Sequence, residues 1–545
     1  MATPVEWRPG MDITAPRLES MNQRQTFMVT NYGADSSGGT NAAPGIQAAL
    51  NAARDLGGAQ VLVPPGVYLI GQTLRIYTNT RLTLMQGAEF RRNVAATMIL
   101  NGDGGQSLGG YTGHSRIIIE GGLWNMRGTT SGLTGNAMCI SIGHATDIVV
   151  RDLEVRDVSG YHAIELNSTS HGLVENCRFR GYADNTSDKS RSFSEAVQID
   201  LAKGGGEFGG FGPYDHTPCI DILVQGNHFG NSDTAGTTAW PRGVGSHSAT
   251  ISKWHRRIRV ANNSFEGLLQ FAVSAYNWED ATVTGNTFVS CGSGVRLRTV
   301  IEADLNDTMN ADGVQTNASQ QMRNLAVTGN TFRGGTGYDN VIVALGEITG
   351  TVLNVAITGN TIDGSGGTES AIRLQRVSRA VVSDNVIANA SGTGISTSYQ
   401  NNTVLSGNVV WGAGAYGITM DNSDNSNIIG NSIRDPQQSG IFVNGPGSDI
   451  QIRNNFVDGA NQAGLTASVP AAIRLSTTAL TAVAITANKC RPGGAAKPAR
   501  NGLYIAPGHT GIQRFGNDMR GTWVTGQPGI DDQSTSPQTA ATDIQ

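Results

Sequence analysis

The sequence predicts an all-β solenoid, a stack of short parallel coils closed at its amino end by one helix. Three observations lead there: a repeated six-residue phrase, the near-constant spacing of its copies, and an excess of glycine. The phrase reads VTGNTF (283–288), VTGNTF (327–332), ITGNTI (357–362), VSDNVI (382–387), LSGNVV (405–410), IIGNSI (428–433) and IRNNFV (452–457). The asparagines of the last five copies (Asn360, Asn385, Asn408, Asn431, Asn455) are 25, 23, 23 and 24 residues apart. Such a period, built from β-branched runs and turn residues, marks units that bury their apolar faces only by stacking. The 72 glycines in 545 residues are nearly twice the usual share of about 7 % and follow no G-X-Y period. They suit frequent corners and exclude collagen.

In chain order, residues 1–26 form a short Pro-containing arm before the repeats. FMVTNYGAD (27–35) reads as a strand leaving into a Gly/Ser/Thr loop. Ile46, Ala49, Leu50, Ala53 and Leu56 then fall at offsets 0, 3, 4, 7 and 10, one stripe of a helix over 44–56 with Thr40 or Asn41 at its cap. An amphipathic helix there covers the open end of the first coil. VLVPPGVYLI (61–70) is strand, tight turn, strand, and LRIYTNTRLTLMQGAEF (74–90) continues the coils.

NYGAD, the capping helix, GGAQVLVPPGVYLI and QGAEF resemble the amino-terminal part of the pectate-lyase-like, right-handed single-stranded parallel β-helix superfamily, which includes polygalacturonases and bacteriophage tailspike depolymerases. The likeness runs over about residues 27–500. WRPGMDITAPRLESMNQR resembles the lead segments of phage tail proteins. These resemblances imply a homotrimeric tailspike on a virion, made in the bacterial host cytoplasm, docked to other tail proteins through its arm and directed at a host cell-surface polysaccharide.

Earlier copies of the phrase, VENCRF, VQGNHF and VANNSF, place Asn176, Asn227 and Asn263 at wider steps of 51 and 36. The excess lies in 180–218, 230–257 and 299–322, and insertions in a solenoid emerge as loops on one face. The expected organisation is an arm (1–26), a β-helix (27–515) with active-site loops within 180–322, and a flexible polar tail (516–545).

Each coil also holds a second strand after the phrase, including HAIELN (162–167), EAVQID (195–200), FAVSAY (271–276), GVRLRT (294–299) and AIRLQR (371–376). Alternation sends Ile164, Leu166, Val197 and Ile199 inward, and Glu165, Asn167, Gln198 and Asp200 outward. Glu165 and Asp200 then lie one coil and two residues apart, about 8 Å by strand geometry. That separation suits a pair of glycosidase carboxyls, ~5–5.5 Å apart when retaining and ~6.5–9.5 Å when inverting. Glu195 joins them beside His162, and a neighbouring charge or apolar wall there can set one carboxyl up as the acid. YDHTPCIDI (214–222) and GVGSHSA (243–249) bring in Asp215, His216 and His247.

GVGSHSA resembles the Gly/Ser/His segment of polygalacturonases, but their adjacent Asp-Asp motif and Arg-Ile-Lys triplet are absent, so only a general sugar-cleaving role carries over. The catalytic candidates are Glu165, Glu195, Asp200 and His247. Tyr276 and Trp278 offer faces for sugar rings, and Arg296, Arg298 and Arg373 offer guanidinium forks for an acidic glycan; with His162, Asp215 and His216 they complete the substrate contacts. The first reading is glycoside hydrolysis. The alternatives are a lyase acting on a uronate, with an Arg or His base and Ca²⁺, and a tail fibre that binds without cleaving.

No cofactor or metal is implied otherwise. Cys139, Cys177, Cys219, Cys291 and Cys490 show no ligand spacing and read as buried thiols. The light charge (15 %, net −5) argues against nucleic acid, no apolar run approaches a membrane span, and MATPVEWRPG lacks a secretory pattern. GDGGQSLGG (102–110) and GGGEFGGFG (204–212) lack the Lys-Ser/Thr of a phosphate loop and read as turns.

Overall fold

Stacked coils generate three long parallel sheets, each coil giving one strand to each. The computed structural model describes residues 26–204, 212–465, 470–476, 479–494, 498–524, 526–537 and 542–545. In one coil, Trp278–Thr284 lies in the first sheet, Thr287–Val289 in the second and Ser293–Arg298 in the third. Val283 pairs in parallel with Val327, Val327 with Ile357, and Ile357 with Val382. All four are buried in the core, while the residues between them face outward.

The repeated phrase is explained by one turn. The residue before each ladder asparagine is left-handed: Gly285, Gly329, Gly359, Gly407 and Gly430 have φ of 65°, 63°, 65°, 66° and 65°. Glycine takes this conformation without penalty, and Asn or Asp tolerate it better than other residues. Accordingly Asn262, Asp384 and Asn454 occupy it in other coils, and Ala487 does so at 56°.

The asparagine that follows turns inward and binds its neighbour one coil up. Asn408 Nδ2 donates to Asn431 Oδ1 at 2.9 Å and to Val382 O at 2.9 Å, and its own Oδ1 accepts Asn385 Nδ2 at 2.9 Å. The ladder runs from Asn227 through Asn263, Asn286, Asn330, Asn360 and Asn385 to Asn455, Asn488 and Asn517. Asn176 is not in it, contrary to the sequence reading. It takes the left-handed position at φ 53°, and Cys177 sits at the head of the ladder with its amide on Asn227 Oδ1. Beside the ladder Phe179, Phe229, Phe265, Phe288 and Phe332 stack with centroids 4.9, 4.7, 5.0 and 4.3 Å apart, close to the spacing of the strands themselves.

The helix Ala43–Asp55 buries Ile46, Ala49, Leu50 and Ala53 of the stripe, but Leu56, expected to be its last member, is the C-cap residue and is exposed. Ala42 holds the cap position, and Asn41 Oδ1 accepts the Ala43 amide at 3.1 Å and that of Gly71 at 2.9 Å. Residues 1–25 of the expected arm lie outside the described residues. The expected tail is different from its reading: Ile530–Asp532 pairs with Asn501–Ile505, and Asn517 Nδ2 donates to Asp543 Oδ1 at 3.0 Å. All five cysteines are buried thiols. Among the described residues no helix is long and apolar enough to cross a membrane.

The long insertions flank the third sheet. Segments 201–204, 246–254 and 299–321 leave strands Glu195–Asp200, Arg242–Gly245 and Ser293–Arg298, 212–219 returns to the first sheet, and 184–194 and 231–241 lead into the first two strands.

Candidate active site

Strands Ile140–Gly143, Ile164–Asn167, Glu195–Asp200, Arg242–Gly245 and Phe271–Tyr276 follow one another in the third sheet. Glu165 pairs with Gln198 and Asn167 with Asp200, so Glu165 and Asp200 are diagonal neighbours on one outward face. Diagonal positions put Cβ atoms somewhat less than ~7–8 Å apart. Ser141 Oγ donates to Glu165 Oε2 at 2.6 Å, and Asn167 Nδ2 to Glu165 Oε1 at 3.0 Å. Asp200 Oδ1 accepts Ser248 Oγ at 2.5 Å and the Leu201 amide at 2.9 Å, and Oδ2 accepts Gln198 Nε2 at 2.8 Å.

The pair does not lie on an open wall. Glu165 is 1 % exposed and Asp200 3 %. Just after Asp200, Ala202 packs on Leu100 and its amide donates to Ser168 Oγ at 3.0 Å. The return segment is tied down by Tyr111 Oη on Pro218 O at 2.7 Å.

Glu195 is placed for a different task from that expected of it. It is wholly buried, with Arg242 Nη1 on Oε1 at 3.1 Å and His247 Nδ1 on Oε2 at 2.8 Å. Burial alone would raise its carboxyl, but His247 and Arg242 together hold it well below the usual carboxylate range. It is therefore a fixed anion that orients His247. Burial works against charge on His247, yet Glu195 and Asp200 outweigh it and hold the imidazole above its ordinary value. His247 Nε2 lies 3.4 Å from Gln198 Nε2, which also donates to Asp200. A polar chain thus runs from Arg242 through Glu195, His247 and Gln198 to Asp200. Asn167 Oδ1 and Gln198 Oε1 are buried acceptors with no hydrogen-bond partner among the described residues.

A cleft of about 530 Å³ adjoins the chain, lined by Lys203, His216, His247, Ser248, Asp304 and Asp307 among others. Asp307 ties three insertions together. Lys203 Nζ and the Ala249 amide reach its Oδ1 at 2.7 and 2.9 Å, and Tyr276 Oη reaches its Oδ2 at 2.8 Å.

Several expected substrate contacts are occupied elsewhere. Trp278 is fully buried in the core and donates to Ser246 Oγ at 2.8 Å, and Tyr276 is buried against Asp307; neither presents a face to a sugar. Their strand positions were legible, but the loops that cover them were not. His162 is also buried: its Nδ1 bonds Glu195 O at 2.7 Å, its ring stacks on His247, and burial pushes it down to about 3, leaving it neutral. Asp215 accepts the Gly110 amide at 2.7 Å and the Thr217 amide at 3.0 Å, pinning two loops. His216 does line the cleft, with Nδ1 on Thr250 Oγ1 at 2.9 Å.

The arginine column is committed internally. Arg296 lies over the Phe271 ring at 4.8 Å and donates to Ser274 Oγ at 2.8 Å, Arg298 pairs with Glu347, and Arg373 donates to Gln375 Oε1 at 2.9 Å. Arg242 and Ser248 carry signals the sequence reading passed over, each lying two to four residues from Val244 in the strand and its exit. Lys203 and Asp307 sit in long insertions with no periodic signal.

His162, Glu195 and His247 also place one donor atom each within 4.8 Å of one another. The same Glu195 carboxylate already holds Arg242 at 3.1 Å and His247 at 2.8 Å. A fixed guanidinium there opposes a second cation, so the trio fits an ion-paired network better than a metal centre.

Residues 306–493 match the family described as periplasmic copper-binding protein (NosD). Over 304 residues the chain is 26 % identical to plasmin and fibronectin-binding protein A of Streptococcus pneumoniae (strain ATCC BAA-255 / R6), a match spanning 51 % of this chain and 41 % of that relative. The crystal structure of PfbA, a surface adhesin of Streptococcus pneumoniae, superposes with a TM-score of 0.56 at 20 % identity, covering 79 % of this chain and 91 % of that one. A tailspike protein of E. coli bacteriophage HK620 in complex with a pentasaccharide superposes with a TM-score of 0.53 at 15 % identity, covering 81 % and 76 %. Three parallel sheets, one capping helix and these likenesses agree: the chain has the right-handed parallel β-helix fold.

Proposed function

We propose that this protein binds a polysaccharide in the cleft beside the third sheet and cleaves it by glycoside hydrolysis. One observation carries the reading: Glu165 and Asp200 are diagonal neighbours on one face, beside a cleft whose lining residues His247 and Ser248 touch Gln198 and Asp200. In hydrolysis one carboxyl protonates the departing glycosidic oxygen while the other takes a proton from the attacking water. Asp200 and Glu165 share these roles. His247, oriented by Glu195, steadies charge at Asp200 directly by its own positive charge. The separation of diagonal positions, about 7–8 Å or slightly less, favours the inverting course. The tailspike likeness supports a glycan as the ligand, and with the phage-like lead segment it supports placement on a virion as a trimer.

A second reading is an adhesin that binds without cleaving. The likeness to a surface adhesin favours it, as does the burial of both carboxyls. The test is to incubate the purified protein with bacterial envelope polysaccharides and size the products by mass spectrometry. Shortened chains, lost in both Glu165→Gln and Asp200→Asn, support hydrolysis. Binding with no shortening supports the adhesin. Products with near-ultraviolet absorption reveal β-elimination and reject both.

A further inference from the structure

We infer that the cleft selects a non-acidic glycan, whose recognised units carry hydroxyl, N-acetyl or amino groups and neither carboxylate nor phosphate. This rests on the cleft being the glycan site proposed above and names the class of ligand it takes.

A site for a polyanion needs cations with free donors, normally arginine forks or lysine ammonium groups. Among the described residues the cleft lining contains one Lys or Arg, Lys203. An ammonium has three donors, and those of Lys203 are directed at Ala249 O (2.6 Å), Asn306 O (2.8 Å) and Asp307 Oδ1 (2.7 Å). None is left for a ligand. Lys203 is a brace between insertions.

Against it stand Asp304 and Asp307, so the lining carries formal charge −1 with its histidines neutral. His216 is held below its ordinary value by burial, then by Lys203 and Lys253, and so does not add charge near neutrality. His247 shares the one Glu195 carboxylate with Arg242, at 2.8 and 3.1 Å, and the positive charge left over when His247 is protonated is faced by Asp200. The nearby wall adds two more acidic side chains, Glu165 and Asp200. The arginines that pointed to an acidic ligand are spoken for: Arg298 by Glu347, Arg296 by the Phe271 face and Ser274, and Arg373 by Gln375. Residues 205–211, outside the described part, contain neither Lys nor Arg. What the cleft does present is hydroxyl, amide and carboxylate groups, the partners of sugar hydroxyls and amines.

The consequence reaches the reaction type. β-Elimination needs a uronate whose carboxylate charge is neutralised while the adjacent proton leaves, and this cleft supplies no group to do it.

The experiment measures binding of end-labelled probes to the full chain at low and high salt. Non-acidic probes are dextran oligomers, chitin oligomers and partly deacetylated chitin oligomers; acidic probes are oligogalacturonate, oligomannuronate and poly(glycerol phosphate). Binding confined to non-acidic probes supports the inference. Salt-sensitive binding of any acidic probe at equal or higher affinity overturns it, and so does failure of every non-acidic probe to bind at millimolar concentration. Two variants sharpen the test. Asp304→Asn keeps an acceptor for the Asn306 and Asp307 amides, and Ala311→Lys alters an exposed side chain at the cleft. Combined, they move the lining by two charge units and raise oligogalacturonate binding about five-fold, for charges acting across roughly 8 Å of water-like dielectric. An unchanged acidic-probe affinity in the double variant counts against charge exclusion. Failure of the function reading looks different: a non-acidic probe binds, yet Glu165→Gln and Asp200→Asn shorten chains as well as the parent.

Discussion

Replacing Glu195 by Gln isolates the buried charge on which the site turns. The parent carboxylate faces two donors, Arg242 Nη1 at 3.1 Å and His247 Nδ1 at 2.8 Å, and is wholly buried. At an effective dielectric near 20, a full charge pair about 3 Å apart gains roughly 5–6 kcal/mol of attraction, and carboxylate desolvation offsets several of these. Leaving the partners of a buried pair uncompensated costs about 3–5 kcal/mol, and an isosteric amide that keeps one acceptor belongs at the lower end. The amide also turns its own donors toward Arg242 or His247. His247 responds in sign as well as size. In the parent its folded value is raised, so its contribution to stability is complete below the unfolded value of about 6.5 and fades as pH rises through the folded one. In Glu195→Gln the carboxylate that outweighed burial is gone. Burial then depresses His247, and its contribution is lost instead as pH falls below about 6.5. The assay is NMR titration of ¹³C-labelled imidazoles, nine in the chain, with His247 assigned by its loss in His247→Asn. Urea unfolding at pH 5.5, 6.5 and 7.5 (about one unit to each side of the reference value) supplies the stability slope. An imidazole at 247 that titrates at the same pH in parent and variant would falsify the account of the dyad.

Glu165→Gln and Asp200→Asn are each expected to slow chain cleavage by about 10²–10⁴-fold, the usual contribution of a general acid or base, as measured by initial rates of fragment release. Asn408→Ala removes a side chain that gives and takes ladder bonds with Asn385, Asn431 and Val382 O. At about 1–3 kcal/mol for each buried group left unmade, a loss of roughly 3–6 kcal/mol is expected in denaturant unfolding. Ala487→Gly relieves a left-handed alanine at φ 56°. Strain relief of about 1–2 kcal/mol, less the backbone entropy glycine adds, leaves a gain of roughly 0.5–1 kcal/mol, seen as a higher unfolding midpoint. Trp278→Ala is expected to destabilise by about 3–5 kcal/mol, as large core deletions do. Its surviving folded fraction binds glycan with parent affinity, which would fail if Trp278 stacked on the sugar.

The repeated phrase was enough to determine the architecture of this protein. Alternating apolar residues, a left-handed turn residue and an inward asparagine recur every coil, and each acts on its nearest neighbours, so Val283, Gly285 and Asn286 carry their structural meaning locally. The same periodicity put Glu165 and Asp200 on one wall, because register in a stack of coils propagates from one strand to the next. Asn176 shows the limit of pattern matching: its asparagine is one residue out of phase, and the turn, not the ladder, claimed it. What tertiary structure alone decided is which of the outward residues meet solvent. Loops of irregular length covered Trp278, Tyr276 and His162, paired Glu195 with Arg242, and closed Lys203 onto Asp307. These contacts join residues up to 104 positions apart, across insertions with no repeat to fix their course, and burial and charge pairing there depend on where the whole chain lies.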